Sequence, residues 1–253
     1  MLENELLYDD GKHRFVFLGW EEREEEIVQT NQFLILDNEE GILLDPGGAH
    51  IFPRVLSNIS EVIDPSKIRY IFYSHQDPDV TSGIALWLSV CENAHIYISS
   101  LWVRFLPHFG VYDARRIIPI PDGGMEIKLS SGNKLEILPA HFLHSVGNFN
   151  LYDPVAKILF SGDIGAAVFK KGERYRYVED FDRHVALMEG FHKRYMVSNV
   201  AIKKWVEMVS TRKIEVMAPQ HGAVFKGENV RKFLEWFKNL RCGIDELSSV
   251  YNK

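Results

Sequence analysis

The sequence predicts an α/β (α+β) fold, an αββα sandwich in which two mixed β-sheets pack face to face with helices outside. Three observations lead there. Short apolar, strand-like runs alternate with helical stretches in both halves of the chain. The run Ile68 to Tyr73 opens directly onto His75-Gln76-Asp77-Pro78-Asp79. Three later strand-like runs each deliver a histidine or aspartate in the same way, and loops at strand ends are where α/β proteins assemble sites.

The elements follow in order. Phe15 to Leu18 and Phe33 to Asp37 read as strands; Asn38-Glu39-Glu40-Gly41 is a turn, and Ile42 to Asp45 is the return strand before Pro46-Gly47-Gly48. Ile51 to Ile63 has helical periodicity, Ile68 to Tyr73 is a buried strand, and Gly83 to Val90 reads as a helix capped by Thr81 or Ser82. His95 to Ser99 completes a βαβ unit around the ligand-rich loop. Trp102, Phe105 and Phe109 could line a pocket or fill the core, and core filling is favoured. Glu126 to Leu129, Lys134 to Pro139, Phe149 to Asp153 and Lys157 to Ser161 read as strands, Val178 to Val209 as mostly helical, and Ile214 to Met217 as a last strand. An amphipathic helix over Glu228 to Ser249 closes the chain.

With 253 residues, 46% of them hydrophobic, one domain over residues 1–253 is expected. The formal charge is −6 with basic residues dispersed, which argues against nucleic acid and anionic membranes as partners. No apolar stretch approaches a membrane span, and the acidic Met1 to Leu6 segment has no leader-like pattern. Cys91 and Cys242 lack CxxC spacing, so a reducing, cytoplasmic setting is expected. The run Glu21 to Glu26 reads as a solvated loop.

In His75-Gln76-Asp77-Pro78-Asp79 the candidate ligands alternate with spacers, so an extended backbone would send all three side chains the same way. Two aspartates around a proline also suit an ordinary turn. The downstream candidates favour a metal site: His144 in Ala140-His141-Phe142-Leu143-His144, Asp163 in Ser161-Gly162-Asp163, and His221 in Pro219-Gln220-His221-Gly222. His141 competes with His144 and is assigned a structural role. Three imidazoles with three carboxylates form a hard donor set suited to iron or manganese. Asp45 is expected to hydrogen-bond the ligand loops.

Together these residues resemble the metallo-β-lactamase superfamily over nearly the whole chain. Its zinc hydrolases carry His-x-His-x-Asp-His, where this chain has Asp77 and Val80. The pattern is more similar to the diiron domain of flavodiiron proteins, whose loop runs His-x-Glu-x-Asp-His. With Phe191-His192-Lys193-Arg194-Tyr195-Met196 it most resembles the flavin-less oxygen-binding di-iron proteins linked to chemotaxis.

That resemblance implies two iron ions, one held by His75, Asp77 and His144, the other by Asp79 and His221, with Asp163 bridging. It implies O2 capture as a peroxo-diiron species at an open position beside Val80, in a sensor of O2 or of iron or redox state. His192 and Tyr195 are candidate donors to bound oxygen; helix packing for His192 and a half-buried core position for Tyr195 compete with that reading. A homodimer and a signalling partner are implied. Zinc or manganese can occupy such donors, and no FMN is expected because no phosphate loop follows a strand. Two other activities are weighed: reduction of O2 or NO with a separate electron-donor protein, and hydrolysis by a dinuclear metal site.

Overall fold

The computed structural model describes residues 3–19 and 28–251; the Glu21 to Glu26 run lies outside them. The first sheet contains β1 (Glu5–Asp9), β2 (His13–Phe17), β3 (Phe33–Asp37), β4 (Glu40–Leu44), β5 (Ile68–Phe72), β6 (His95–Ser99) and β7 (Ile117–Ile120), side by side in chain order. β1 to β4 pair antiparallel, and β4 to β7 run parallel. Between β3 and β4 the turn is tight, with Asn38 at φ 53°. The second sheet contains β8 (Met125–Lys128), β9 (Lys134–Pro139), β10 (Phe149–Asp153), β11 (Ile158–Gly162), β12 (Val216–Pro219) and β13 (Phe225–Lys226). Here only β11 and β12 are parallel.

Strand alternation builds three apolar layers. In β3, Phe33 and Ile35 face the second sheet while Leu34 and Leu36 face outward; in β11, Ile158 and Phe160 point inward and Leu159 outward. Phe160 closes the interface, its ring 5.6 Å from Phe33 and 6.2 Å from Phe72. Over the first sheet lie α1 (Phe52–Ser60), α2 (Pro78–Thr81) and α3 (Ile84–Val90), contributing Val55, Val80 and Trp87 to its outer cluster. Over the second lie α4 (Phe181–Tyr195), α5 (Asn199–Val209) and α6 (Glu228–Asn239), contributing Met188, Trp205 and Phe233. A short α7 (Leu247–Tyr251) follows. The αββα sandwich is therefore the observed architecture.

Several elements differ from the sequence reading. Strands β1, β7 and β13 were not anticipated. Neither Thr81 nor Ser82 caps α3: the Thr81 hydroxyl donates to the Gln76 and Asp77 carbonyls, Ser82 donates to the Pro78 carbonyl, and Gly83 holds the cap position without a side-chain bond. Of the three aromatics only Trp102 packs, half-buried, against the outer cluster. Trp102 precedes a three-ten turn over Val103–Phe109 that carries Phe105 and Phe109, and all three line an apolar groove of about 330 Å³ with Ile98 and Leu106. The closing helix stops at Asn239 rather than Ser249, because Asn199 binds the Lys238 and Leu240 carbonyls. Gly243 then turns at φ 53°, where a Cβ would lie 2.2 Å from the Met196 and Val197 oxygens.

At one end of the sandwich, where β2 begins and β3 and β10 end, His13 joins the sheets. Its Nδ1 lies 2.8 Å from Asp37 and its Nε2 2.7 Å from Asp153, all three side chains being buried. Carboxylates at both ring nitrogens call for both N–H donors, the imidazolium. Burial pushes the His13 pKa down, but the bonds and charges of Asp153 and Asp37 more than reverse it, and the value is raised.

Candidate metal centre

The opposite end of the sandwich carries the six predicted ligands. β5 exits through Ser74, whose N–H and hydroxyl both donate to the Asp45 carboxylate at 2.7 and 2.5 Å. The Ser74 oxygen also lies 2.8 Å from His75 Nδ1, where it accepts the imidazole N–H and turns Nε2 toward the centre. Asp45 thus supports the loop from beneath, as expected. Burial, reinforced by the charges of Asp163 and Asp79, pushes its pKa up to about 8 in the metal-free chain, against the bonds from Ser74.

The extended backbone does not persist through the loop. Asp77 is extended, but Pro78 starts α2 and places Asp79 in its first turn. Asp77 and Asp79 consequently diverge. Asp77 Oδ2 approaches His75 Nε2 at 3.8 Å and His144 Nε2 at 3.5 Å, whereas Asp79 Oδ2 approaches His221 Nε2 at 3.4 Å. Val80 is fully buried in the outer apolar cluster with Ile84 and Trp87.

The second sheet supplies the rest. His144 lies in the loop between β9 and β10, Asp163 follows β11, and His221 follows β12. Asp163 is central: its Oδ2 lies 3.2 Å from His144 Nε2, and its Oδ1 lies 3.4 Å from His221 Nε2 and 3.9 Å from His75 Nε2. His221 is aimed by its Nδ1–H, which donates to the Gln29 carbonyl at 2.8 Å. Asn31 braces the same loop through the Pro219 and Gly222 carbonyls. Gln29, Asn31 and Ser74 had no role in the sequence reading; for Gln29 and Asn31 no local signal marks one.

The donor geometry fits metal ions. Donor atoms of His75, Asp77 and His144 all lie within 4.8 Å of one another. His144 Nε2 and Asp163 Oδ1 are buried without a hydrogen-bond partner among the described residues. Two donors bound to one ion at about 2.1 Å and about 90–110° apart sit ~3.0–3.4 Å from each other, close to the spacings here. The carboxylate between three imidazoles holds its pKa well below the usual range: burial pushes it up, but the charges of His221 and His75 and the close approach of His144 prevail. His221 is raised to about 9, because Asp163, Asp79 and the Gln29 carbonyl outweigh burial. His75 is lowered, chiefly by burial. Asp77 and Asp79, 35% and 42% exposed, form the solvent-facing mouth.

The two further candidates separate. His192 is buried, receives the Gly165 N–H at Nε2 (3.0 Å) and lies 2.8 Å from the Met188 carbonyl through Nδ1, which therefore donates. Burial pushes its pKa down to about 4, so the ring is neutral with both nitrogens engaged. It pins α4 to the loop after Asp163 and has no donor left for a ligand. Tyr195 is 54% exposed, stacks on Phe191 and sets its ring 5.6 Å from that of His144, so it occupies the rim and not the core. His141 faces away, bonding the Asp122 carbonyl at 2.8 Å.

Comparison with known proteins places this geometry in a family. Two solved structures of the chemotaxis sensor ODP superimpose along the full length. The one described as a peroxy diiron species has a TM-score of 0.89 and 51% identity, covering 99% of this chain and 100% of that one. The apo state from T. denticola has a TM-score of 0.88 and 50% identity, with the same coverage. A flavo di-iron protein mutant from Thermotoga maritima shares the fold at a TM-score of 0.77 and 20% identity, covering 94% of this chain and 60% of that one. Among curated sequences, an uncharacterized protein of Methanocaldococcus jannaschii is 28% identical over 215 residues, 83% of this chain and 53% of its own length. The chain thus spans about half the length of that relative. The family model described as ODP family beta lactamase matches residues 28–222, and the chain belongs to that family.

Proposed function

We propose that this chain is an oxygen-binding non-haem diiron protein that senses O2. The observation that carries the reading is the position of the Asp163 carboxylate between three imidazole Nε2 atoms, with Asp77 and Asp79 on opposite flanks. On this reading His75, Asp77 and His144 would hold one ion and Asp79 and His221 the other, with Asp163 shared. The 51% identical relative described as a peroxy diiron species of a chemotaxis sensor supports the same reading.

Two ferrous ions held there would supply electrons and a coordination position to dioxygen. The chain's residues do the rest. Three carboxylates would cancel most of the charge of a ferrous pair and leave it slightly positive. Ser74 and the Gln29 carbonyl fix which nitrogens of His75 and His221 face the ions. Asp77 and Asp79, the more exposed donors, mark where dioxygen would approach, and Tyr195 and Phe191 wall the His144 side.

The protein is read as a cytoplasmic homodimer with a signalling partner. No described helix is long and apolar enough to cross a membrane. Exposed Phe142, Val146, Tyr195, Ile244 and Leu247 form an apolar rim beside His144, suited to a second copy. Light scattering on wild type and Phe142→Glu tests the dimer.

The function is tested by anaerobic loading with ferrous iron, metal analysis and exposure to O2. Two irons per chain and a long-lived absorbing species are expected. Rapid repeated O2 or NO consumption with a flavoprotein or rubredoxin donor would instead establish a reductase. Tightly held zinc with esterase activity would establish a hydrolase.

A further inference from the structure

Gln76 reads in the sequence as a spacer between two ligands, yet its side chain joins the two ligand loops of the first metal position. Its Oε1 accepts the Ser145 hydroxyl at 2.6 Å, and its Nε2 donates to Asp77 Oδ1 at 3.2 Å. Ser145 adjoins His144 in the second sheet's loop; Asp77 belongs to the first sheet's loop. The link therefore crosses the sandwich at the centre itself. The amide orientation is settled by its neighbours, since a flip would set Oε1 against a carboxylate oxygen. The backbone is held as well, the Thr81 hydroxyl donating to the Gln76 and Asp77 carbonyls at 2.9 Å each.

The consequence falls on Asp77. Its Oδ1 is taken by the Gln76 amide, so Oδ2 alone faces His75 Nε2 and His144 Nε2. An aspartate is one methylene shorter than a glutamate, so its loop must sit closer to the ion for one oxygen to reach. The Ser145 link holds the His144 loop and the Asp77 loop at that separation.

We propose that Gln76 is a positioning residue that presents Asp77 to the first metal through one oxygen and holds the His75 and His144 loops in register. This rests on the diiron reading above. Loss of a group that orients a ligand costs about 10–100-fold in metal affinity, and Gln76 contacts only one of the two positions.

The test is stepwise anaerobic titration with ferrous iron, using ⁵⁷Fe Mössbauer spectra to follow each site. Asp77→Ala and His221→Ala serve as references for a lesion at either position. Gln76→Leu, nearly the same size and without either bond, is expected to weaken the Asp77-side step by about 10–100-fold and leave the His221-side step unchanged. Gln76→Glu keeps the Ser145 bond but turns a carboxylate on Asp77, and should do the same. Ser145→Ala, which leaves the Gln76 to Asp77 bond in place, should produce a smaller loss at the same step. It also provides the reading if Gln76→Leu fails to fold. Equal weakening of both steps, or no change in either, would overturn the role. Wild type taking up a single ion would overturn the diiron reading instead, and Gln76 would then stand or fall on whether that ion's affinity moves in Gln76→Leu.

Discussion

The His13 clasp allows a prediction that involves no metal chemistry. His13→Gln replaces an imidazolium held between Asp37 and Asp153 with a neutral amide, leaving two buried carboxylates short of their counter-charge. Removing one partner of a buried ion pair costs about 3–5 kcal/mol; Gln keeps one donor, so the lower end, about 3 kcal/mol, is expected. At ~2–4 °C per kcal/mol for a chain of this length, Tm should fall by about 6–12 °C. The pH dependence has a definite sign. Because the folded pKa is raised, His13 contributes its full stability below the ordinary histidine value of about 6.5 and loses it as pH rises through the folded value. A neutral ring has one N–H for two carboxylates, so about 1.5–3 kcal/mol disappears on the alkaline side. Thermal unfolding of chelator-treated wild type and His13→Gln should therefore show a wide gap at pH 6 that narrows at higher pH. The difference between the two proteins removes the parallel titration of His221. A gap independent of pH would refute the imidazolium assignment. Iron content should not change, since β10 separates the clasp from the ligand end by about 13 Å of strand.

Other expectations concern the centre. Asp163→Asn should abolish uptake of the second iron and weaken the first, measured by metal analysis after anaerobic loading, because the shared carboxylate faces all three imidazoles. Asp45→Ala strips the acceptor from the Ser74 N–H and hydroxyl, so iron affinity should drop about 10–100-fold with a stability loss of about 1–3 kcal/mol, read by titration and unfolding. Metal uptake by the apo chain at pH 7 should release protons, His221 among the sources because its pKa is raised to about 9. Calorimetry in buffers of different ionisation enthalpy checks this, and affinity should climb from pH 6 to 8. Ferrous iron at about 100 times its Kd should stabilise the folded chain by about 2.7 kcal/mol, visible as a Tm increase that a chelator reverses.

The ligand-bearing loops were legible because the signal is local: a histidine or aspartate just past an apolar strand needs only its neighbours to be noticed. What orients the ligands was not legible. The Gln29 carbonyl that aims His221 lies 192 residues away in sequence, and Ser145, which gives Gln76 its role, lies 69 residues away. The common direction expected of Asp77 and Asp79 is lost because Pro78 at a helix start ends the alternation of the preceding strand, although Asp79 does lie beside His221. His13 carried no ligand-like context, since its partners Asp37 and Asp153 end strands in different sheets. β1 went unnoticed because Glu5-Leu6-Leu7-Tyr8-Asp9 is an edge strand that is never fully buried and shows no clean alternation. For Trp102, Phe105 and Phe109 hydrophobicity favours the core over a pocket lining, because it does not say whether a short three-ten turn has anything above it.

Three ligands come from the chain before the turn at residues 121–124 and three from the chain after it, one set on each sheet. Neither half holds a complete donor set for the ion pair. A chain cut at that turn would hold the shared carboxylate on one fragment and both flanking aspartates on the other. Recovery of the two-iron spectrum on mixing such fragments would then report that the sheets had found each other in register.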